Sequence, residues 1–417
     1  MTANGSRRDI SIDQLTPGMF IVGVDVPWYR SPLLSHTRLI ENAETIQTMR
    51  QHGIRTVTID ISKGADVRAD AKGDQPARAR TDSHSTIAAQ PPADPTQPGT
   101  GSVQTLYSDA HDTVERIFTQ LEQGAPASPT ATKAVVSTVL MRIIDDRAAV
   151  MTHLALQKLK QFDGSLATHA LDTCILSLVV AVEIGLDETA QAQLGTGALL
   201  HDAGYARLPR NLVQKRQTCT DGERLLLQQH PALGVPLVTE TAGFDPAVTR
   251  IVAEHHERQD GSGFPSGLKH DDISTLAMIV GIVDWYDGMV SRRGGRAAML
   301  PSTAIQRLFV AGQQGQFKHT LAESVIRSIG IYPIGSLVLL NTGEQAMVIG
   351  INPGQRLKPL VKIIAGPRGE SYVTPLPTDL AAQTPGRESR SILRALDPVQ
   401  ERVNIVLYLD EISSEAA

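Results

Sequence analysis

Cysteine is nearly absent, with Cys174 and Cys219 the two in 417 residues. Two thiols exclude a disulfide scaffold and a Cys-based zinc site, and they fit a reducing cytoplasm. Aromatic residues make up only 4%, and none occurs between Tyr29 and Tyr107. No sign of charge dominates: 39 basic and 44 acidic side chains leave −5. No global basic field therefore exists to hold nucleic acid or an anionic membrane, although a local phosphate site stays open. The best membrane candidate, Leu171 to Leu186, is short and carries Asp172 and Glu183. The start, MTANGSRRDISIDQL, is charged with no apolar stretch behind it, unlike a signal peptide. These features read as a cytoplasmic chain without solenoid repeats.

What is present is ordinary globular material, 41% hydrophobic and 20% charged, long enough for two or three domains at about 150 residues each. Residues 1–62 alternate short apolar runs with turn signals and hold one short helix over Asn42 to His52, which predicts a small α+β module. Val57, Ile59 and Ile61 there keep a period of two. Residues 63–101 are rich in Asp, Arg, Ala, Gln, Ser and Pro, which predicts a disordered linker. Residues 102–330 read as almost continuous helix, with one apolar stripe on Val135, Val139, Leu140, Ile143 and Ile144 and another on Leu171, Ile175, Leu178, Val179 and Val182. Thr220 to Glu223 form a capping box, Asp245-Pro246 a helix start, and Ser274 precedes a further helix. Residues 331–417 switch to strands, expected over Leu337 to Leu340, Met347 to Ile351, Leu360 to Ile364 and Val403 to Leu409. The fold class is thus multi-domain: an all-α core with a small α+β N-terminal module and a small β-rich C-terminal extension.

Five of twelve histidines, His169, His201, His230, His255 and His256, lie between 169 and 256, inside the helical region. His255 shares an apolar stripe with Val248, Ile251 and Val252, and a lone histidine there is commonly a satisfied core residue. Asp284, after the run Ala277 to Val283, taken alone reads equally as a cap. Together with Asp202 beside His201, however, the set is one of imidazoles and carboxylates without thiolate, which suits Fe, Mn or Zn in a hydrolytic site.

The stretch Leu199-Leu200-His201-Asp202-Ala203-Gly204 resembles the signature of the HD superfamily of metal-dependent phosphohydrolases. The run His255-His256-Glu257-Arg258-Gln259-Asp260-Gly261-Ser262-Gly263-Phe264-Pro265 resembles that of its HD-GYP branch, with Phe264 for the usual Tyr. His230 before Pro231 and Gly234, and Asp284 to Met289, match further segments of that branch. The terminal modules resemble the uncharacterised N-terminal domain and the C-terminal extension of one bacterial subgroup. The resemblance implies a phosphodiesterase that opens cyclic di-GMP to pGpG or GMP with a hydroxide bridging two divalent metals, Fe or Mn. It implies His169, His201, Asp202, His230, His255, His256 and Asp284 as ligands, with Asp202 bridging and catalytic. Gly263, Phe264, Pro265, Asp287, Arg293 and Arg296 are the implied substrate contacts, and Glu257 or Asp287 would orient imidazoles. Diguanylate cyclase (GGDEF) proteins are the protein partners it admits; the apolar stripe of the long helix at 131–162 leaves a homodimer open, with an intramolecular core face as its expected use.

Two positions depart from the pattern. Ser165 stands where some members carry a Glu for a third metal, so two metals are expected. Tyr205, expected with Asp202 among the catalytic residues, replaces the lysine that follows His-Asp-x-Gly, and a phenol supplies no cation at neutral pH. Arg207 is a candidate substitute for that lysine. An alternative function therefore stands beside hydrolysis: a catalytically weak receptor for cyclic di-GMP, or a scaffold that docks a cyclase.

Overall fold

The computed structural model describes residues 7–24, 38–40, 42–51, 54–66, 102–160, 165–215, 219–291, 298–352, 354–383, 389–405 and 408. The linker expected over 63–101 falls almost wholly outside them, as do Arg293 and Arg296. The chain divides into two compact units, Met1–Gln97 and Pro98–Glu415.

In the first unit, β1 (Arg7–Ser11), β2 (Phe20–Val24), β3 (Arg38–Leu39) and β4 (Thr56–Asp60) form an antiparallel sheet in the order β1-β4-β2-β3. Helix α1 (Ala43–Gln51) buries Ile46 and Met49 in the same core as Val57 and Ile59. The period-two reading holds for that pair, whereas Ile61 lies past the strand and is exposed.

The second unit begins with α2 (Val103–Glu122), α3 (Pro129–Lys160), α4 (Leu166–Glu183) and α5 (Glu188–Leu200). Next come a 3-10 turn (Ala203–Arg207), α6 (Arg210–Lys215), α7 (Asp221–Leu227), α8 (His230–Thr239) and α9 (Pro246–Glu254). It closes its helical part with α10 (Thr275–Val290), α11 (Pro301–Gln313) and α12 (His319–Ile329). Helix α4 is apolar on nearly every face because other helices surround it. By length and composition it would cross a membrane, yet 83% of it is buried inside the fold, the mark of a core helix.

Helix α3 is broken at Asp146, whose φ of −150° and ψ of 76° are not helical. Asp146 Oδ1 accepts the Ala149 N–H at 3.0 Å and so starts the second half as a cap. Before the break Val135, Val139 and Ile143 are buried, but Ile144, about 100° round the helix from Ile143, is exposed, so the expected stripe ends one residue early. The capping box at Thr220 and the cap at Asp245 are formed. Ser274 makes no side-chain cap; its backbone N–H donates to Glu254 Oε2 at 2.7 Å instead. Ser165, the position read as a lost metal ligand, caps α4 through its Oγ.

The C-terminal strands are β5 (Leu337–Leu340), β6 (Gln345–Gly350), β7 (Leu360–Ala365), β8 (Ser371–Asp379) and β9 (Ile392–Ala395), in the antiparallel order β8-β7-β6-β5-β9. The strand expected over 403–409 does not form in its described part. The chain turns there, with Val403 N–H on Pro398 O, and β9 has already filled the free edge of β5. This extension is tied to the helical core through Glu183 at the end of α4. Arg356, from the β6–β7 connection, bonds that carboxylate and the Arg327 carbonyl, while Arg147 reaches the same carboxylate and the Ser328 carbonyl at 2.7 Å each. Burial alone would raise Glu183, but the two guanidinium groups hold it below its ordinary value. Because the pair is half-shielded from water, Arg356→Ala is expected to lower stability by about 1–2 kcal/mol. Urea denaturation should show this loss shrinking in high salt.

Candidate metal centre

The site is built at helix ends. His201 follows the last residue of α5, His255 follows that of α9, and His230 lies just beyond α7 at the start of α8. Each ring gives its Nδ1–H to the carbonyl three residues back: His201 to Ala198 at 2.7 Å, His230 to Leu227 at 2.8 Å, His255 to Val252 at 2.9 Å. Those carbonyls belong to last turns, where no helical N–H is available for them. His169 comes instead from the first turn of α4 and donates Nδ1–H to Asp287 Oδ2 at 2.7 Å. The tautomers follow from these partners, and all four Nε2 atoms are left as lone-pair donors.

Those lone pairs converge. Nε2 of His169 and His201 lie 3.3 Å apart, and Nε2 of His230 and His255 3.2 Å apart. Asp202 stands between the two pairs. Its Oδ2 faces His201 at 3.6 Å and His169 at 3.7 Å, while its Oδ1 faces His230 at 3.3 Å and His255 at 4.0 Å. Asp284 closes the ring, with Oδ1 at 2.8 Å from His169 Nε2 and Oδ2 at 3.7 Å from His256 Nδ1. Two ligand groups result, His169-His201-Asp202 and Asp202-His230-His255-His256, sharing Asp202. Facing lone pairs and carboxylates repel one another unless a cation lies between them, so the donor set fits bound metal ions.

Close backbone approach makes this convergence feasible. A Cβ on Gly204 would overlap the His230 carbonyl, and one on Gly281 the His255 carbonyl. Burial alone would raise Asp202 and Asp284, but the surrounding imidazoles hold both well below the usual carboxylate range. Burial, reinforced by neighbouring imidazoles, lowers His255 to about 3 and His256 well below its ordinary value. Burial also opposes charge on His201, yet Asp202 and Asp284 raise it.

The remaining expected residues fall around this centre. Tyr205 stacks on His230, with ring centroids 4.1 Å apart and planes 13° from parallel. Phe264 tilts over His256 at 4.5 Å. Gly263 is required by space, since a Cβ would strike the backbone of residues 256–258, whereas Gly261 uses a φ of 81° that disfavours other residues. Pro265 follows in the same loop. Glu257 does not orient an imidazole: it is buried and accepts the N–H of Ser266 at 2.7 Å and of Leu268 at 3.0 Å, pinning the loop. Asp287 is not placed for substrate. It is fully buried behind His169, with its oxygens taken by His169, Lys158 and Ser291.

Lys158, Asp172 and Tyr107 were not singled out as site residues from the sequence. Lys158 joins Asp287 to Asp172, which lies at 2.8 Å, and Tyr107 donates to Asp172 at 2.7 Å. The one signal was Asp172 itself, a charge inside an apolar helix, which pointed only to a non-membrane role.

Metal-free protein should lose stability as pH falls from about 7.5 to about 5.5. His255 at about 3 in the fold lies below its unfolded value near 6.5, so the unfolded chain binds the extra proton. Stability from His255 and His256 is therefore present above about 6.5 and lost below it. His201 acts in the opposite sense but is one group against two. Thermal melts of chelator-treated protein across that range check the sign; a rising melting temperature on acidification contradicts it.

Comparison with known proteins agrees with this construction. The HD domain family matches residues 138–318, a domain of unknown function matches residues 7–131, and a KOW domain associated with HD domains matches residues 337–400. A cyclic di-GMP phosphodiesterase of Pseudomonas aeruginosa is 27% identical over 391 residues, 90% of each chain. A cyclic di-GMP phosphodiesterase of Thermotoga maritima is 34% identical over 122 residues, 28% of this chain and 32% of that one. Among solved structures, an HDG"Y"P protein from Bdellovibrio bacteriovorus overlaps with a TM-score of 0.43 at 16% identity, covering 77% of this chain and 98% of the other. With its candidate ligand groups and these matches, residues 138–318 of the chain form an HD domain of the metal-dependent phosphohydrolase superfamily, with an accessory domain N-terminal to it.

Proposed function

We propose that this chain hydrolyses cyclic di-GMP to pGpG or GMP, at two divalent metal ions, Fe or Mn, held by His169, His201, His230, His255, His256, Asp202 and Asp284. One observation carries the reading: Asp202 divides its two oxygens between two histidine pairs whose lone pairs converge. A nitrogen-rich set with two carboxylates suits Fe or Mn and leaves net positive charge for a phosphodiester. Ser165 supports two ions rather than three, since its hydroxyl is engaged in capping α4. The relative of 90% coverage that carries this activity in its name supports the substrate.

When bound, such a pair supplies an activated water and neutralises charge on the phosphoryl oxygens. The protein's own groups position and exclude. Carbonyls of three helix ends and the Asp287 carboxylate fix the imidazoles in one tautomer, so binding needs no rearrangement. Glu257 holds the loop that carries Phe264, and that ring offers an apolar face against which a nucleobase can stack.

Tyr205 favours a second reading, a receptor with weak turnover. Its uncharged ring covers His230 at the position where the family's pattern has lysine. Protein loaded anaerobically with Fe(II), or with Mn(II), is expected to turn over cyclic di-GMP. Asp202→Ala should abolish metal uptake and lower turnover by more than about 100-fold, beyond what loss of an outer partner costs. Tyr205→Lys should raise turnover. Binding retained without turnover in both metals would select the receptor reading.

A further inference from the structure

One buried chain of charge leads away from the site and has no part in holding the metals directly. Tyr107 of α2, Asp172 of α4, Lys158 of α3 and Asp287 of α10 follow one another behind His169. Asp172 and Asp287 are 2% and 0% exposed. The Lys158 ammonium has three hydrogens and three acceptors: Asp172 Oδ2 at 2.8 Å, Asp287 Oδ1, and Ser291 Oγ at 3.1 Å. It has no donor left for a phosphate, so it does not replace the lysine that Tyr205 displaces. Asp287 is likewise committed, with Oδ2 on His169 Nδ1 and Ser291 Oγ.

Two buried carboxylates face each other across one ammonium. Without that cation they repel at short range in a medium that screens poorly. Asp172 would keep the Tyr107 hydroxyl on Oδ1 and Asp287 would keep His169 and Ser291 on Oδ2, so the unrelieved charge falls on Asp172 Oδ2 and Asp287 Oδ1. A turn of the Asp287 carboxylate away from Asp172 carries its Oδ2 off the His169 ring. If Asp287 shifts, His169 loses the acceptor that fixes its ring. The other three rings would keep theirs, since these are backbone carbonyls.

We propose that Lys158 is a positioning residue for the metal centre: held between Asp172 and Asp287, its ammonium fixes the Asp287 carboxylate on His169 and so aims His169 Nε2 at the metal shared with His201. The inference rests on the metal-centre reading above. It makes one of two metals depend on a side chain that touches neither.

The test is Mn(II) binding to chelator-stripped full-length protein, followed by electron paramagnetic resonance and by metal analysis. Wild type is expected to take up two equivalents; uptake of none would defeat the metal-centre reading itself. Lys158→Met should weaken one equivalent about 10–100-fold, the range for loss of an outer-shell partner, and leave the other unchanged. Lys158→Met combined with Asp172→Asn removes the repulsion and should restore most of the lost affinity. A merely structural role would weaken both equivalents together, and any rescue would then restore both. If Lys158→Met fails to fold by circular dichroism, Lys158→Gln, which keeps a hydrogen-bonding head without the charge, should give the same selective loss. Two equivalents bound as in wild type by whichever variant folds would overturn the role of Lys158 alone.

Discussion

Each of four imidazoles gives its Nδ1 hydrogen to a fixed acceptor, three to carbonyls of helix last turns and one to Asp287, and this leaves four Nε2 lone pairs pointing inward. The arrangement converts an ordinary liability into a function. Last-turn carbonyls have no helical partner and normally seek water or a cap; here a histidine placed one turn on satisfies them and is oriented in return. The same ends turn their partial negative charge toward the site, which adds to the pull on a cation. Helix length, the glycines at 204 and 281, and the tight crossings of α5, α8, α9 and α10 are all consistent with bringing those ends within a few ångströms of each other.

The candidate ligand groups were expected from the resemblance carried by His201-Asp202, by His255-His256 and by Asp284 after an apolar run, and the structure brings their donor atoms together. The support behind them was not expected. Lys158 meets Asp287 from 129 residues away and Tyr107 meets Asp172 from 65, and no local pattern marks a pairing made by tertiary packing. Asp287 and Glu257 read alike as carboxylates that orient imidazoles; Asp287 does so at His169, whereas Glu257 holds a loop, a distinction that only the tertiary placement of each side chain makes. The same limit covers Ile144, exposed at the rim of a stripe whose other members are buried, and the expected strand at 403–409, whose place beside β5 is held by β9.

The α+β module, the helical region and the β-rich extension follow the expected order, and the period of the apolar residues sufficed for that. Apolar period says little about what an element is for. Helix α4 was legible as apolar, but its roles come from three polar residues, His169, Asp172 and Glu183, spaced along it and turned to different partners.

Two of those residues sit at opposite ends of one continuous helix. Fourteen residues at about 1.5 Å each separate His169 from Glu183, so about 21 Å of stiff rod runs between a metal-facing imidazole and the arginine clamp of the β extension. A helix of that kind hardly shortens or bends within a packed core. The contact that ties down the β extension and the imidazole of one candidate ligand group are therefore held at a fixed separation by a single helix.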